Sequence, residues 1–384
     1  MLSFVRSLFG HRVAGDNTEA LSPSLSAEQR PYKVQTVPLD ASVTPADPDY
    51  YDEWAEQVMV VPSNDGTSVL VHHCWLQTED PDTHEIIYHE RASMMRADET
   101  DWMKRIEGTN RIYQHLFASQ PSHPRVVGYL GPINTGYRLD RPNPGPIYDC
   151  ELDVDSSDLA LALYQRWALQ ALSALEFIHN RGVVLNAMAS DALWLRKDFS
   201  IAVAGFICAA YAEIRVPAQG WPTMSAESFA CPWAASRTRS LAAEKYTEAE
   251  TGQPKKDLFD WAVWVCENMT GKSPFQHSMT KLQRDQGYYA EMRPLEQAFG
   301  RGEYDGWPSM PDQKLGPIML KALRGQYETA SEALAELKVL LQGLGRTLAS
   351  SQEDELQDYD WPKVLRIDMV EAYGEPRKVL RVAG

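Results

Sequence analysis

Cysteine is scarce and scattered in this 384-residue chain: Cys74, Cys150, Cys208, Cys231 and Cys266 lie far apart, with no C-x-x-C pair. Neither a structural zinc site nor a disulfide framework is signalled, and a reducing compartment fits this thiol usage. Positive charge is short as well, with 37 Lys and Arg against 53 Asp and Glu, a formal net charge of −16. A duplex-coating protein needs a basic stripe to release counterions from phosphates, so nucleic acid is not an expected partner. Also missing is any apolar run of roughly 18 residues, the length that spans a bilayer. No long apolar stretch near the start precedes a small-residue cleavage site, so no secretory leader is read there.

What is present is 44% hydrophobic residues in a length that suits one large or two ordinary domains, which excludes general disorder. Residues 1–13 carry Arg6, His11 and Arg12 among Leu2, Phe4, Val5, Leu8 and Phe9, with no acid before Asp16. Two readings stay open for them: a frayed tail on a cytoplasmic or nuclear protein, or an Arg-bearing transit segment with a mitochondrial address. Residues 14–50 are rich in Ser, Pro, Thr, Asp and Ala without sustained periodicity, and read as a disordered arm.

Beyond the arm, β-rich runs are expected at 58–62, 68–77 and 85–89, separated by turn signals, as a small antiparallel sheet. The spacing of Trp102, Ile106, Ile112, Tyr113 and Leu116 predicts a packed helix over 98–118. A strand pair at 126–130 and 136–139 leads into a Pro-rich crossing. From about residue 155 the period becomes helical, with a long buried helix over 159–179 ending at Gly182 as a stop signal. Short apolar runs at 183–185, 192–195 and 201–204 follow, with a Lys197-Asp198 turn, then a Pro/Gly-bearing loop over 209–256 and helices at 257–269, 315–323 and 330–341. This order describes an α+β architecture in two halves, β-rich at 51–148 and helical at 149–344, followed by a C-terminal extension at 345–384. The extension opens with an acidic run at 350–360, read as a solvated linker, followed by an apolar segment suited to docking on its own chain or on a partner.

Several segments in this order resemble the eukaryotic protein-kinase fold. Gln170-Ala-Leu-Ser-Ala-Leu-Glu-Phe-Ile-His-Asn-Arg-Gly-Val-Val184 is similar to its long helix running into the catalytic loop, and the stretch from Asp257 through Thr270-Gly-Lys-Ser-Pro-Phe275 to the helix that opens with an Asp. Segments 111–116 and 122–131 resemble the end of the small-lobe helix and the strand after it, and 315–323 and 330–334 the last helices. The style of the small-lobe segments resembles fungal kinase-like proteins. The resemblance spans about 57–342 and implies a bilobal fold with a β-rich N-lobe and a larger helical C-lobe.

The resemblance also says which residues an active member would need. Its H-R-D-x-x-x-x-N loop supplies a base and a metal-binding Asn, and the matching positions here are Leu185-Asn186-Ala187 and Ala192, with Ala189 at the loop lysine. The D-F-G that grips Mg²⁺ falls on Gly205-Phe206-Ile207. Of the phosphate-cradling glycines only Gly66 is present, and after Asn64-Asp65 it reads more simply as a hairpin turn. The phosphate-pairing Lys falls near Tyr88 or His89, with Arg91 beside them, and its Glu partner falls near Thr109, Glu107 lying on another helix face. The A-P-E segment falls on Ala235-Ser236-Arg237 and its Arg partner near Tyr327. Asp257, which in the family braces the catalytic-loop backbone, is retained.

The resemblance therefore implies a pseudokinase: a protein-binding or scaffolding module whose partners are proteins, with no metal expected and ATP binding weak. Losing base, metal ligands and Lys together removes most of the roughly 10⁶-fold acceleration an enzyme needs. Two alternatives remain open: an active ATP-dependent kinase recruiting Asp191, Asp198 or the region of Glu90, and a nucleotide-binding switch without turnover. Asp198 reads as a hairpin turn, Asp191 as a solvated loop acid, and Cys208 as a small buried apolar residue. His72-His73 reads as an alternating strand pair, and Trp167, Trp261 and Trp264 as core. Trp194 is the exception, placed to fill an empty nucleotide pocket.

Overall fold

The computed structural model describes residues 52–55, 58–62, 67–73, 75–79, 86–90, 100–118, 122–133, 136–147, 150–153, 157–185, 188, 192–204, 206, 209–211, 254–271, 274, 307, 309–349, 354–372 and 375–383. The expected disordered arm, and the loop over 212–253, lie outside them. The architecture is mixed α+β, with small sheets, mostly antiparallel, and helices.

A five-stranded antiparallel sheet runs in the order β1 (Asp52–Ala55), β2 (Val58–Pro62), β3 (Ser68–His73), β7 (Gly136–Asp140), β6 (Tyr129–Ile133). The residue alternation decides which face is apolar. Val69 lies opposite Leu139 across the β3–β7 ladder, and with Tyr137 two residues along they form one buried stripe. Helix α1 (Thr100–Ala118) packs on this sheet through Ile112, Tyr113 and Leu116. Strands β4 (Trp75–Glu79) and β5 (Ile86–Glu90) form a separate two-stranded sheet, so the single sheet expected over 58–89 is two. The strand expected at 126–130 is displaced too. Val126 makes only a parallel bridge to Val203, and the strand proper begins at Tyr129, because Val127 N–H bonds Val203 instead of the sheet.

Helix α2 (Ser157–His179) is buried on every side between residues 162 and 175, as expected of a helix apolar all round. It packs against α3 (Pro254–Thr270), α5 (Ala330–Gly343) and β12 (Ile201–Val203), while α4 (Gly316–Leu323) packs on α3 and α5. The polar residues inside α2 are matched rather than stranded. Gln165 donates to the Gln313 carbonyl at 2.7 Å and accepts from Arg346 at 2.7 Å, and the Gln170 carbonyl oxygen accepts from Ile201 N–H at 3.0 Å. The helix stops at Gly182, whose φ of +71° is the left-handed conformation that glycine adopts without a Cβ penalty.

Beyond that stop, β10 (Val183–Val184) pairs with β13 (Ala210–Tyr211), and β11 (Leu193–Leu195) forms a hairpin with β12. The other edge of β11 takes β8 (Gly145–Pro146). The C-terminal residues form α6 (Trp361–Val364) and a hairpin of β14 (Leu365–Ala372) and β15 (Glu375–Val382). Strand β15 then pairs in parallel with β9 (Cys150–Asp153), so the end of the chain joins a strand more than 200 residues away in one sheet. Among the described residues, no helix is long and apolar enough to cross a membrane.

Candidate functional site

The opening turns of α3 set the local geometry. Asp257 is fully buried, and its Oδ2 accepts the Leu185 backbone N–H at 2.7 Å and lies 2.9 Å from His179 Nε2 at the end of α2. One turn further on, Asp260 Oδ2 accepts from Lys256 Nζ at 2.8 Å. Burial pushes the Asp260 carboxyl up to about 6; Lys256 opposes that rise, Asp257 adds to it, and a hydrogen bond from the Met188 backbone opposes it. Asp257 thus holds the backbone at Leu185, and Asp260, three residues on, is satisfied by the Lys256 ammonium. A buried N–H without such an acceptor costs about 1–3 kcal/mol, which is what Asp257 spares the Leu185 amide.

Residues 204 and 206 are held by α1. Tyr113 Oη donates to the Ala204 carbonyl at 2.7 Å, and Thr109 Oγ1, one turn earlier, donates to the Phe206 carbonyl at 3.2 Å. Burial, with Tyr137 beside it, holds the Tyr113 phenol well above its ordinary value, so it is a neutral donor. The Phe206 ring stands edge-on to Tyr113 with centroids 4.9 Å apart, and Tyr113 also contacts Tyr137 at 5.4 Å and Tyr129 at 5.7 Å. The Ala192 carbonyl accepts from Ala204 N–H at 2.8 Å. The groups gathered here are hydroxyls, carbonyls and apolar side chains. They hold the backbone of residues 204 and 206 in place.

The structure therefore brings Leu185, Ala192, Phe206 and Asp257 into one region, and Thr109 from the expected Glu position joins them. Asn186, Ala187, Ala189, Asp191, Gly205 and Cys208 lie outside the described residues, as do Gly66, Arg91 and residues 235–237. Tyr88 and His89 sit on β5, opposite Gln77 and Leu76 in the two-stranded sheet, whereas the strand between β2 and β7 in the larger sheet is β3, with His72 opposite Gly136. Asp198 is a turn residue: its Oδ1 accepts from Ser200 N–H at 3.1 Å and Ser200 Oγ at 2.7 Å, and Phe199 beside it takes the left-handed φ of 59°. Trp194 is buried on β11, opposite Ala202 and Pro146. Tyr327 is buried and its hydroxyl donates to Glu336 at 2.8 Å. Among the described residues, no three His, Cys, Asp or Glu side chains are grouped to hold a metal ion.

The acidic run corrects the expectation of a solvated linker. Asp354 and Glu355 are docked on two arginines that are nearly sealed from water, Arg125 with 4% and Arg166 with 3% of its side chain exposed. Arg125 donates to both Asp354 oxygens, at 2.9 and 3.3 Å, and to Glu355 at 2.9 Å. Glu355 also accepts from Arg166 Nε, from Arg166 Nη2 at 3.0 Å and from Gln170 at 2.9 Å. The Arg166 guanidinium lies over the Trp361 ring at 5.1 Å, a cation–π contact that adds to the dock. A buried charge that loses its partner is strongly destabilising, so Arg125 depends on the tail's acids, while Arg166 shares Glu355 with Asp198, whose carbonyl accepts at 3.0 Å and whose carboxylate lies 3.9 Å away. His179 and Asp260 were also missed by the sequence reading, although each had a faint signal: His179 ends the α2 stripe, and Asp260 follows Asp257 by one turn. Arg125 and Arg166 carried none, since their partners lie some 190 to 230 residues along the chain. Neither a protein-family model nor a curated protein sequence matches this chain.

Proposed function

We propose that this chain has a bilobal protein-kinase-like fold without phosphoryl transfer, a pseudokinase that acts as a protein-binding or scaffolding module. The observation that carries the reading is the Asp257 carboxylate on the Leu185 amide. The helix-opening Asp of the family it resembles braces its catalytic loop in the same way. Here that brace is kept, while the residues at the base and metal positions are Ala187, Ala192 and Gly205. Framework and chemistry have parted: the interactions that shape the loop are retained, and the carboxylates that would work in it are gone. Phosphoryl transfer rests almost wholly on positioned charge around the phosphates, so this combination favours a surface function over turnover.

The second support is the neutral tether of residues 204 and 206 to α1 through Tyr113 and Thr109. In the resembling family a charged Lys–Glu pair and a metal-binding Asp organise this place; here hydroxyl-to-carbonyl bonds do so, and they need no nucleotide to complete them. No Mg²⁺ is required by this reading, and any ATP binding is weak.

The test is a thermal-shift titration of the full chain with ATP, with and without Mg²⁺, beside a Gly205→Leu variant. A ligand specific to the folded state stabilises by about 2.7 kcal/mol at a hundred times its Kd, which a melting curve resolves. An unchanged melting temperature under both conditions supports the reading. A Mg²⁺-dependent rise that the Gly205→Leu variant abolishes overturns it in favour of an active kinase, and a metal-independent rise in favour of a nucleotide-binding switch.

A further inference from the structure

Sheet edges expose unpaired N–H and C=O groups, and proteins guard them with prolines, bulges, short strands or charge. Three described edges follow that rule. Strand β1 is four residues long with a register shift between Glu53 and Ala55. Strand β6 carries Pro132 and a shift between Tyr129 and Gly131, the latter at φ +126°. Strand β9 is also four residues, with Glu151 and Asp153 on one face. Strand β14 departs from the rule. Its eight residues pair with β15 in unbroken register, it contains no proline, and Met369 on it is 63% exposed. Among the described residues, no backbone hydrogen bond is made on its outer side.

We propose that β14 pairs antiparallel with β14 of a second copy of this chain, across a two-fold axis at Ile367, to join two three-stranded sheets into one of six strands. Symmetry narrows the registers. Two antiparallel edge strands of one sheet are related by a two-fold normal to that sheet, which preserves its faces, so the axis must pass through a residue position. An axis at Arg366 sets guanidinium against guanidinium, and one at Asp368 sets carboxylate against carboxylate. At Met369 it leaves Asp368 facing Val370 and Glu371 facing Ile367, with no charge matched.

An axis at Ile367 alone satisfies the strand's own chemistry. Arg366 then faces the partner's Asp368 twice over, Ile367 meets its own copy, and Leu365 faces Met369 twice on the other side of the sheet. Opposite charges directly across a ladder stabilise it and like charges weaken it. The same ionic preference is already visible within one chain, where Arg366 Nε lies 3.2 Å from Asp368 Oδ1 and Arg381 Nη1 lies 3.6 Å from Asp368 Oδ2. The net charge of −16 opposes association at long range, but at about 0.15 M salt that repulsion is screened beyond roughly 8 Å while the ladder contacts are not.

The experiment is sedimentation equilibrium of the full chain over a wide concentration range at about 0.15 M salt. The expected result is a reversible monomer–dimer equilibrium. Arg366→Asp should raise its dissociation constant about tenfold or more through two like-charge pairs, and Arg366→Asp with Asp368→Arg should restore it. A monomer at every concentration overturns the proposal, as does a dimer indifferent to Arg366→Asp or not rescued by the double variant. Hydrogen exchange of the unaltered protein gives a readout free of folding defects: amides of residues 365–369 should gain protection as concentration rises, and protection independent of concentration overturns the pairing, assigning the edge to a segment of the same chain.

Discussion

Asp257 holds backbone, whereas Asp354 and Glu355 hold side chains, and they differ in what their loss would expose. Asp257 satisfies the Leu185 amide, reaching 72 residues back along the chain. The tail pair neutralises Arg125 and Arg166 from as far as 230 residues away, and in doing so fastens α6 and the C-terminal hairpin to α2. An unsatisfied amide is a modest penalty; an unsatisfied buried guanidinium is a severe one. The extension is thus energetically more demanding of its acids than the loop that resembles a catalytic site.

The largest loss is expected for Glu355→Ala, which takes from Gln170 its acceptor, from Arg125 one of its two carboxylates, and from Arg166 its nearest carboxylate, leaving it the Asp198 carbonyl at 3.0 Å and the Asp198 carboxylate at 3.9 Å. Removing one partner of a buried ion pair costs about 3–5 kcal/mol, and urea denaturation should show a loss in that range. A loss below about 1 kcal/mol would mean that water reaches the arginines.

Next in size is a pH effect at Asp260. Its folded carboxyl holds a proton up to about 6, above the ordinary unfolded value near 3.9, so the folded state binds more protons between those limits. Stability from this group is therefore greatest below about pH 4 and declines as pH rises towards 6, by roughly 3 kcal/mol in all. Asp260→Asn should remove that slope from the denaturation profile; a profile unchanged by the substitution would place the ionisation elsewhere.

Asp257→Ala should cost less than Glu355→Ala, about 2 kcal/mol for the orphaned Leu185 amide. Hydrogen exchange should show faster opening near Leu185, while exchange in the C-terminal hairpin stays unchanged, which keeps the two anchors distinct. The smallest effect belongs to Glu107→Gln. That residue pairs with Arg111 on the exposed side of α1, and like other solvated helix pairs it should contribute no more than about 0.5 kcal/mol by chemical denaturation. The same carboxylate–guanidinium chemistry thus spans roughly a tenfold range in energy with burial alone.

Much of the helical architecture was legible because periodicity is a local property. Trp102 to Leu116, Leu159 to Ile178 and Ala330 to Leu341 announce amphipathic or fully buried helices within a few turns of chain, and the observed bounds differ from expectation by two residues or fewer at nearly every end. Gly182 and the Lys197-Asp198 turn were legible for the same reason, since a stop or a hairpin is decided by a handful of neighbouring dihedrals. Strand partners were not. Nothing in residues 68–77 shows that β3 joins β7 while β4 turns away to β5, because ladder partners are chosen by closure of the chain in space.

Sequence alone determined which segments would be helices and where the principal turns lie. Tertiary structure decided what the acidic tail does. A run such as Glu353-Asp-Glu355 is indistinguishable from a solvated linker until Arg125 and Arg166 are buried beside it, since the value of a charge pair is set by the solvent it loses and not by the residues that carry it.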